Sequence, residues 1–88
     1  MAITRIMGIN VSDRKEVASD VQNVLTKYGC SIRTRLGLHE PDDDNCGVGG
    51  LIIIELTGDP SEWEKLENEL SAIKHTELNK MDFEKKLN

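Results

Sequence analysis

The pattern of apolar and polar positions predicts that the chain opens with a strand and a helix. The run RIMGINV (5–11) is apolar and lacks a helical period, which is typical of a strand. Ser12 or Asp13 then offers an N-cap, and Glu16 stands in capping-box register with Asp13. Apolar residues follow at helical spacing, at Val17, Val21, Val24, Leu25 and Tyr28. Gly29 supplies the position just past the predicted helix end.

Two strands of different character come next. The segment SIRTRLGLH (31–39) alternates, which predicts a half-exposed edge strand guarded by charge. Its two predicted faces carry Ile32, Thr34, Leu36 and Leu38 on one side and Arg33, Arg35 and Gly37 on the other. The segment GLIIIELT (50–57) is apolar on both faces, and such a strand is expected at the centre of a sheet. Its aliphatic residues divide into Leu51 and Ile53 on one face and Ile52 and Ile54 on the other.

A second helix and a last strand complete the pattern. Asp59 is predicted to cap this helix, with Pro60 in its first position and Glu62 closing a capping box. The apolar stripe of the helix consists of Trp63, Leu66, Leu70 and Ile73. His75 is expected to cap the C-terminal end, where the helix dipole favours a cation. The segment TELNKMDF (76–83) predicts a polar edge strand.

This order of elements predicts one α+β domain over residues 1–88, with the ferredoxin-like βαββαβ arrangement. The first and third strands are apolar on both faces and become central. The result is a four-stranded antiparallel sheet of order 4-1-3-2 with both helices on one face. The helix-free face then exposes aliphatic side chains, although a domain of this size has a small core and needs their burial for stability. We therefore expect a homodimer or a homotetramer.

The charge of the chain excludes some partners. A net charge of −5 argues against direct nucleic-acid binding, which needs clustered lysine and arginine. No apolar stretch approaches the ~20 residues that span a bilayer, so no membrane partner is expected. We expect a cytoplasmic protein in which Cys30 and Cys46 are thiols. Cys30 is expected to be a small buried residue at the start of the second strand.

The loop between the second and third strands holds the most reactive side chains. Its glycines do not match a phosphate-binding G-x-G-x-x-G motif, and a strand follows them instead of a helix. A calcium loop starting at Asp42 would place Ile53 where a bidentate glutamate is required. His39 and Cys46 remain as candidate ligands for nickel, copper or zinc. The alternatives are a solubilising loop and a reactive thiol at Cys46.

A second candidate site lies at the first strand-to-helix turn. Gly8, Asn10, Ser12 and Asp13 surround this turn, where outward backbone N–H groups can bind a small metabolite. An ordinary helix cap is the alternative interpretation. No Ser/His/Asp or Cys/His set has the spacing of a nucleophilic site, so the chain is not expected to be an enzyme.

Three phrases of the chain, RIMGINVSDRKEVASDVQNVLTKYG, IRTRLGLH and GLIIIELTGD, resemble the family of iron-only hydrogenase system regulators. The resemblance implies an ACT-like domain, related in fold to the metal-binding domain of the nickel-responsive repressor. That domain carries H-x-H and a cysteine six residues later. Here Gly37 replaces the first histidine, and Asn45 occupies the cysteine position, one residue before Cys46.

The function implied by this resemblance is a small non-catalytic regulatory or ligand-sensing protein that works as an oligomer. ACT-like domains use the turn after the first strand for ligands. Two alternatives remain at this point. One is a transition-metal-binding protein that uses His39 and Cys46, and the other is a small dimeric ferredoxin-like enzyme.

Overall fold

The computed structural model describes residues 2–38 and 49–85, and it places four strands in one antiparallel sheet of order β2-β3-β1-β4. The elements are β1 (Ala2–Val11), α1 (Arg14–Lys27), a short 3₁₀ helix (Gly29–Ser31), β2 (Ile32–Leu38), β3 (Gly50–Leu56), α2 (Pro60–Ser71) and β4 (Thr76–Lys85). Read from the other edge, this order is the predicted 4-1-3-2. The ferredoxin-like α+β fold is therefore confirmed, with β1 and β3 at the centre.

Both helices begin at the predicted capping residues. The Asp13 carboxylate accepts a hydrogen bond from the backbone N–H of Glu16 at 3.3 Å, which satisfies one free donor of α1. The Asp59 carboxylate accepts from the backbone N–H of Ser61 at 2.9 Å, and Pro60 takes the first helical position of α2.

The core lies between the two helices and one face of the sheet. It consists of Met7, Ile9, Val11, Val17, Val21, Leu25, Tyr28, Ile54, Leu56, Trp63, Leu66 and Leu70. Trp63 is the largest of these side chains, and its indole N–H donates to the backbone carbonyl of Thr57 at 2.8 Å. The core thus contains most of the predicted stripes of both helices and alternate residues of β1 and β3, while Val24 and Ile73 of the stripes pack against it partly buried. Full burial of each large aliphatic side chain contributes about 1.5–3 kcal/mol.

The predicted alternation of the second strand is wrong at one point. The pairing register shifts between Ile32 and Thr34, because Ile32 faces Leu56 while Thr34 faces the adjacent Glu55. A β-bulge places two residues opposite one, so it reverses the face of every residue that follows. Ile32 packs against the core, whereas Thr34 and Leu36 lie on the helix-free face.

The prediction for Cys30 is also wrong. The short 3₁₀ helix precedes β2, and Cys30 is exposed within it, while its neighbour Ser31 is buried. The backbone carbonyl of Ser31 accepts a hydrogen bond from the N–H of Thr57 at 2.8 Å, which holds this turn against the end of β3. The chain therefore anchors the turn through Ser31, and the thiol faces solvent.

No helix among the described residues is long and apolar enough to cross a membrane.

Candidate functional site

The turn that ends β1 meets the turn that begins β4, because these two strands are antiparallel neighbours. Val11 pairs with Thr76, so the residues after Val11 lie beside the residues before Thr76. The backbone N–H of Ser12 donates to the carbonyl oxygen of His75 at 2.8 Å, and the Ser12 hydroxyl contacts the same oxygen at 3.3 Å. We call the group Ser12, Asp13, Glu16 and His75 the turn cluster.

Glu16 is the electrostatic centre of the turn cluster. Its carboxylate forms an ion pair with Lys74 and lies 3.2 Å from the imidazole Nε2 of His75. The hydrogen bond from Lys74 is the main reason that the pKa of Glu16 lies below its usual value, and the charge of Lys74 acts in the same direction. Glu16 therefore carries a negative charge at neutral pH.

The backbone of His75 adopts a left-handed conformation, with φ of +63°. This region is unfavourable for a residue with a side chain, at about 1–2 kcal/mol. The two contacts from Ser12 hold the carbonyl, and the contact with Glu16 holds the ring. The predicted role of His75 as a cap of α2 is wrong, because α2 ends at Ser71 with Ala72 as its C-cap and the imidazole is paired with α1 instead.

Three side chains of the turn cluster bring potential metal ligands together. One ligand atom each from Asp13, Glu16 and His75 lies within 4.8 Å of the others, the one such group among the described residues. Lys74 already neutralises Glu16, and Asp13 caps α1. A cation would have to displace both interactions. The arrangement is better suited to a small polar ligand that has both donors and acceptors.

The residues that the sequence predicts to bind a small ligand lie in two different parts of the structure. Ser12 and Asp13 belong to the turn cluster. Gly8 and Asn10 lie within β1 on the helix-free face, where Gly8 pairs with Ile53 on one side. Gly8 is four residues from Ser12, about 13 Å along an extended strand. A single small ligand at the turn can reach Ser12 and Asp13, but Gly8 lies too far away.

Gly49 packs directly against the turn. A β-carbon at this position would come within 2.9 Å of the carbonyl oxygen of Val11, a distance that real β-carbons essentially never show. In the sequence, this residue is only one of several loop glycines. Its role is to let the chain that enters β3 pass close to the end of β1.

The candidate metal ligands His39 and Cys46 lie outside the described residues, so their prediction stands without a structural description here.

The helix-free face of the sheet carries an apolar stripe, in which Ile53 and Ile6 are diagonal neighbours across β3 and β1. Leu36 faces Ile53 across β2 and β3, Ile6 faces Met81 across β1 and β4, and Phe83 follows two residues after Met81. We call these five residues the open-face stripe. Three of them are strongly exposed, Met81 at 58%, Phe83 at 53% and Leu36 at 52%. The predicted division of β3 is confirmed, because Ile54 is buried in the core while Ile53 lies on this face.

The charged group nearest to the stripe is internally paired. Glu55 lies on the helix-free face, where it accepts a hydrogen bond from the Thr34 hydroxyl at 3.0 Å. The Arg33 guanidinium lies 3.7 Å from the same carboxylate. The face can therefore be covered without leaving this carboxylate unpaired.

Sequence reasoning missed the partnership of Glu16 and His75. Each was assigned to the end of its own helix, because capping rules consider only nearby residues. The predicted sheet order contains the missing signal, since antiparallel neighbours β1 and β4 bring the residues after Val11 next to those before Thr76.

The comparisons with known proteins show the fold. No model of a known protein family matches the chain, and no curated protein matches it. The uncharacterised protein TM1266 from Thermotoga maritima has a similar structure, with a TM-score of 0.79, 19% sequence identity, and coverage of 94% of this chain and 100% of that one. The de novo designed protein Foldit4 is also similar, with a TM-score of 0.51, 19% identity, and coverage of 96% of this chain and 98% of that one.

Proposed function

We propose that the protein is a non-catalytic regulatory module that senses a small polar metabolite and works as an oligomer. The observation that carries the ligand part is the turn cluster, where side chains from α1 and the β4 entry converge with exposed hydrogen-bonding groups. Within it, the Ser12 hydroxyl, the Asp13 carboxylate and the His75 imidazole offer donors and acceptors to a ligand such as an amino acid. The open-face stripe supports the oligomeric part.

The regulatory part of the proposal is supported by the resemblance of three phrases in the chain to iron-only hydrogenase system regulators. The structural similarity to TM1266 agrees with this proposal at the level of the fold. The metal-binding alternative depends on His39 and Cys46. Elemental analysis of the untagged protein and of the His39→Ala and Cys46→Ser variants distinguishes it, because that alternative requires stoichiometric metal that both substitutions abolish.

The ligand part is tested by thermal shift with single amino acids and related polar metabolites. A ligand at about 100 times its dissociation constant adds ~2.7 kcal/mol to the free energy of unfolding. For a domain of this size, that corresponds to a rise of roughly 10–20 °C in Tm. We expect at least one compound to give such a rise in the wild-type protein.

Matched variants locate the binding site. Ser12→Ala and Asp13→Asn remove ligand-facing groups, and asparagine retains the capping function at position 13. Asp59→Asn makes the same change at the cap of α2, away from the turn cluster, and serves as the control. The stabilisation should be lost in the first two variants and kept in the third. Stabilisation that survives Asn10→Ala, Ser12→Ala and Asp13→Asn combined would place the ligand elsewhere and contradict the proposal.

A further inference from the structure

We infer that the helix-free face is the surface on which a second copy of this chain docks, sheet against sheet. This inference rests on the oligomeric part of the proposed function and specifies its partner and its surface. Its first support is the open-face stripe, because large apolar side chains more than half exposed are unfavourable in water. Of the four large, strongly exposed hydrophobic side chains among the described residues, three belong to the stripe.

The size of the face is enough for a small dimer interface. Four strands at ~4.8 Å spacing make a face roughly 19 Å wide, and strands of seven to ten residues make it about 23–33 Å long. Its flat area is therefore roughly 450–600 Å², and corrugation by side chains raises the accessible area further. Two such faces together bury roughly 900–1,200 Å², a range that includes the ~1,000 Å² that a specific interface needs and lies below the ~1,600 Å² of a standard one.

The symmetry of a dimer suits a linear stripe. When two sheets pack face to face, a two-fold axis lies between them, parallel to both. Rotation about this axis places a straight stripe onto its own copy in two cases. The axis runs parallel to the stripe, or it runs perpendicular to the stripe within the interface plane. A second copy therefore supplies an apolar surface of matching shape, whereas another partner would need to reproduce the stripe independently.

The charge on the face also favours a second copy. Glu55 lies beside the stripe opposite Ile6 and is neutralised by contacts within its own subunit, and the five stripe residues are uncharged. The face therefore has no unpaired charge at its centre that would attract an oppositely charged partner. An unpaired charge buried between two copies would be costly, and none of the stripe residues introduces one.

Gly8 provides a further indication at the centre of the face. A β-carbon at this position would meet only the carbonyl oxygen of Asn79 and the Leu51 side chain, both at 3.9 Å, which is ordinary contact. Packing within the chain therefore does not require glycine here. Glycine in a strand interior often marks the close approach of another backbone or side chain, and a second copy fits that role.

Sedimentation equilibrium and light scattering test the inference through aspartate substitutions. Met81→Asp and Leu36→Asp change exposed side chains of the stripe, and Ile3→Asp changes an exposed side chain of β1 on the opposite face, with 46% exposure. All three should fold, because each position is already exposed in the single chain. The wild type and Ile3→Asp should have twice the 9.9 kDa chain mass, or a higher multiple.

The stripe variants should lose the sheet-face contact. Their dissociation constant for this contact should rise at least about a hundredfold, since each copy would bury an unpaired charge. Gly8→Leu should have the same effect through bulk. If Met81→Asp and Leu36→Asp keep the wild-type mass at a concentration about 10 times above the wild-type dissociation constant, the face is not the interface and the inference is overturned. A wild-type monomer would overturn both this inference and the oligomeric part of the proposed function.

Methionine oxidation gives a second measurement that does not depend on variants. Dilute peroxide oxidises exposed methionine to the sulfoxide, and Met81 is exposed in the single chain whereas Met7 is fully buried. The oxidation rate of Met81 should fall at least about tenfold as protein concentration rises through the dimerisation range. Met7 should stay protected throughout and serves as the internal control. Rapid oxidation of Met81 in an assembled sample would contradict the inference.

Discussion

Substitution of Arg5 tests how much the shielded ion pairs of this residue stabilise the fold. It belongs to β1 on the helix side of the sheet, and its side chain is only 17% exposed. Its guanidinium donates to Asp82 at 2.6 and 2.8 Å and to Glu67 at 3.0 Å, and it lies 5.3 Å from the centre of the Trp63 ring. Arg5 thereby connects β1 with α2 and β4. We predict that Arg5→Met destabilises the fold substantially.

The magnitude follows from the surroundings of each contact. The pair with Glu67 is shielded, which gives about 1–2 kcal/mol, whereas the pair with Asp82 is exposed to solvent and adds little. The contact with the Trp63 ring adds about 0.5–1 kcal/mol. Loss of a partner from a fully buried ion pair costs about 3–5 kcal/mol, but Lys80 still neutralises Glu67 here at 2.9 Å. The expected loss is therefore about 2–3 kcal/mol.

Urea unfolding followed by circular dichroism measures this loss. With a slope of about 1–1.5 kcal/mol per molar, the midpoint should fall by roughly 1.3–3 M. Arg33→Met is the matched control, because Arg33 is exposed and its contact with Glu55 is 3.7 Å long. That variant should stay within about 0.5 kcal/mol of the wild type. Equal effects of the two substitutions, or a negligible effect of Arg5→Met, would refute the reasoning.

Two further predictions concern acid stability and a glycine. The pKa values of Glu16 and Asp82 lie below their usual range, through hydrogen bonds from Lys74 and Arg5 respectively, so both groups bind protons more readily in the unfolded chain. The stability that these two carboxylates contribute should be fully present above about pH 4–5 and should be lost as the pH falls through their pKa values in the folded protein. A Tm that stays constant from pH 5 to pH 2.5 would contradict this. Gly58→Ala should cost about 1–2 kcal/mol in thermal unfolding, because the φ of Gly58 is +80°. Gly37→Ala is the control and should change little, since φ is not positive there and a β-carbon meets nothing within 4 Å.

The sequence predicts the fold well because the determining signals are local. The apolar run in β3 continues on both faces, and only a central strand buries residues in that pattern. Asp13 and Asp59 stand just before their helices and bind backbone N–H groups within three residues. Periodicity and capping are therefore enough to locate the elements, and strand polarity is enough to order them.

The features that sequence reasoning missed depend on distant residues. The bulge between Ile32 and Thr34 follows from how β2 aligns with β3, and strict alternation in β2 hides it. The position of His75 depends on Ser12 and Glu16, more than fifty residues earlier in the chain. A pattern read along one segment contains neither pairing. Both features become predictable only after the sheet order is used to ask which segment ends are neighbours.

The two faces of β1 show why the function of this small domain has to be sought outside its core. Met7 and Ile9 are fully buried against the helices, so packing within the chain accounts for them. Ile6 and Gly8 lie on the other face, where no helix covers them. In the proposed assembly, these two residues make contacts that a single chain does not make. The strand then ends at the turn cluster, so β1 joins the proposed assembly surface directly to the proposed ligand site.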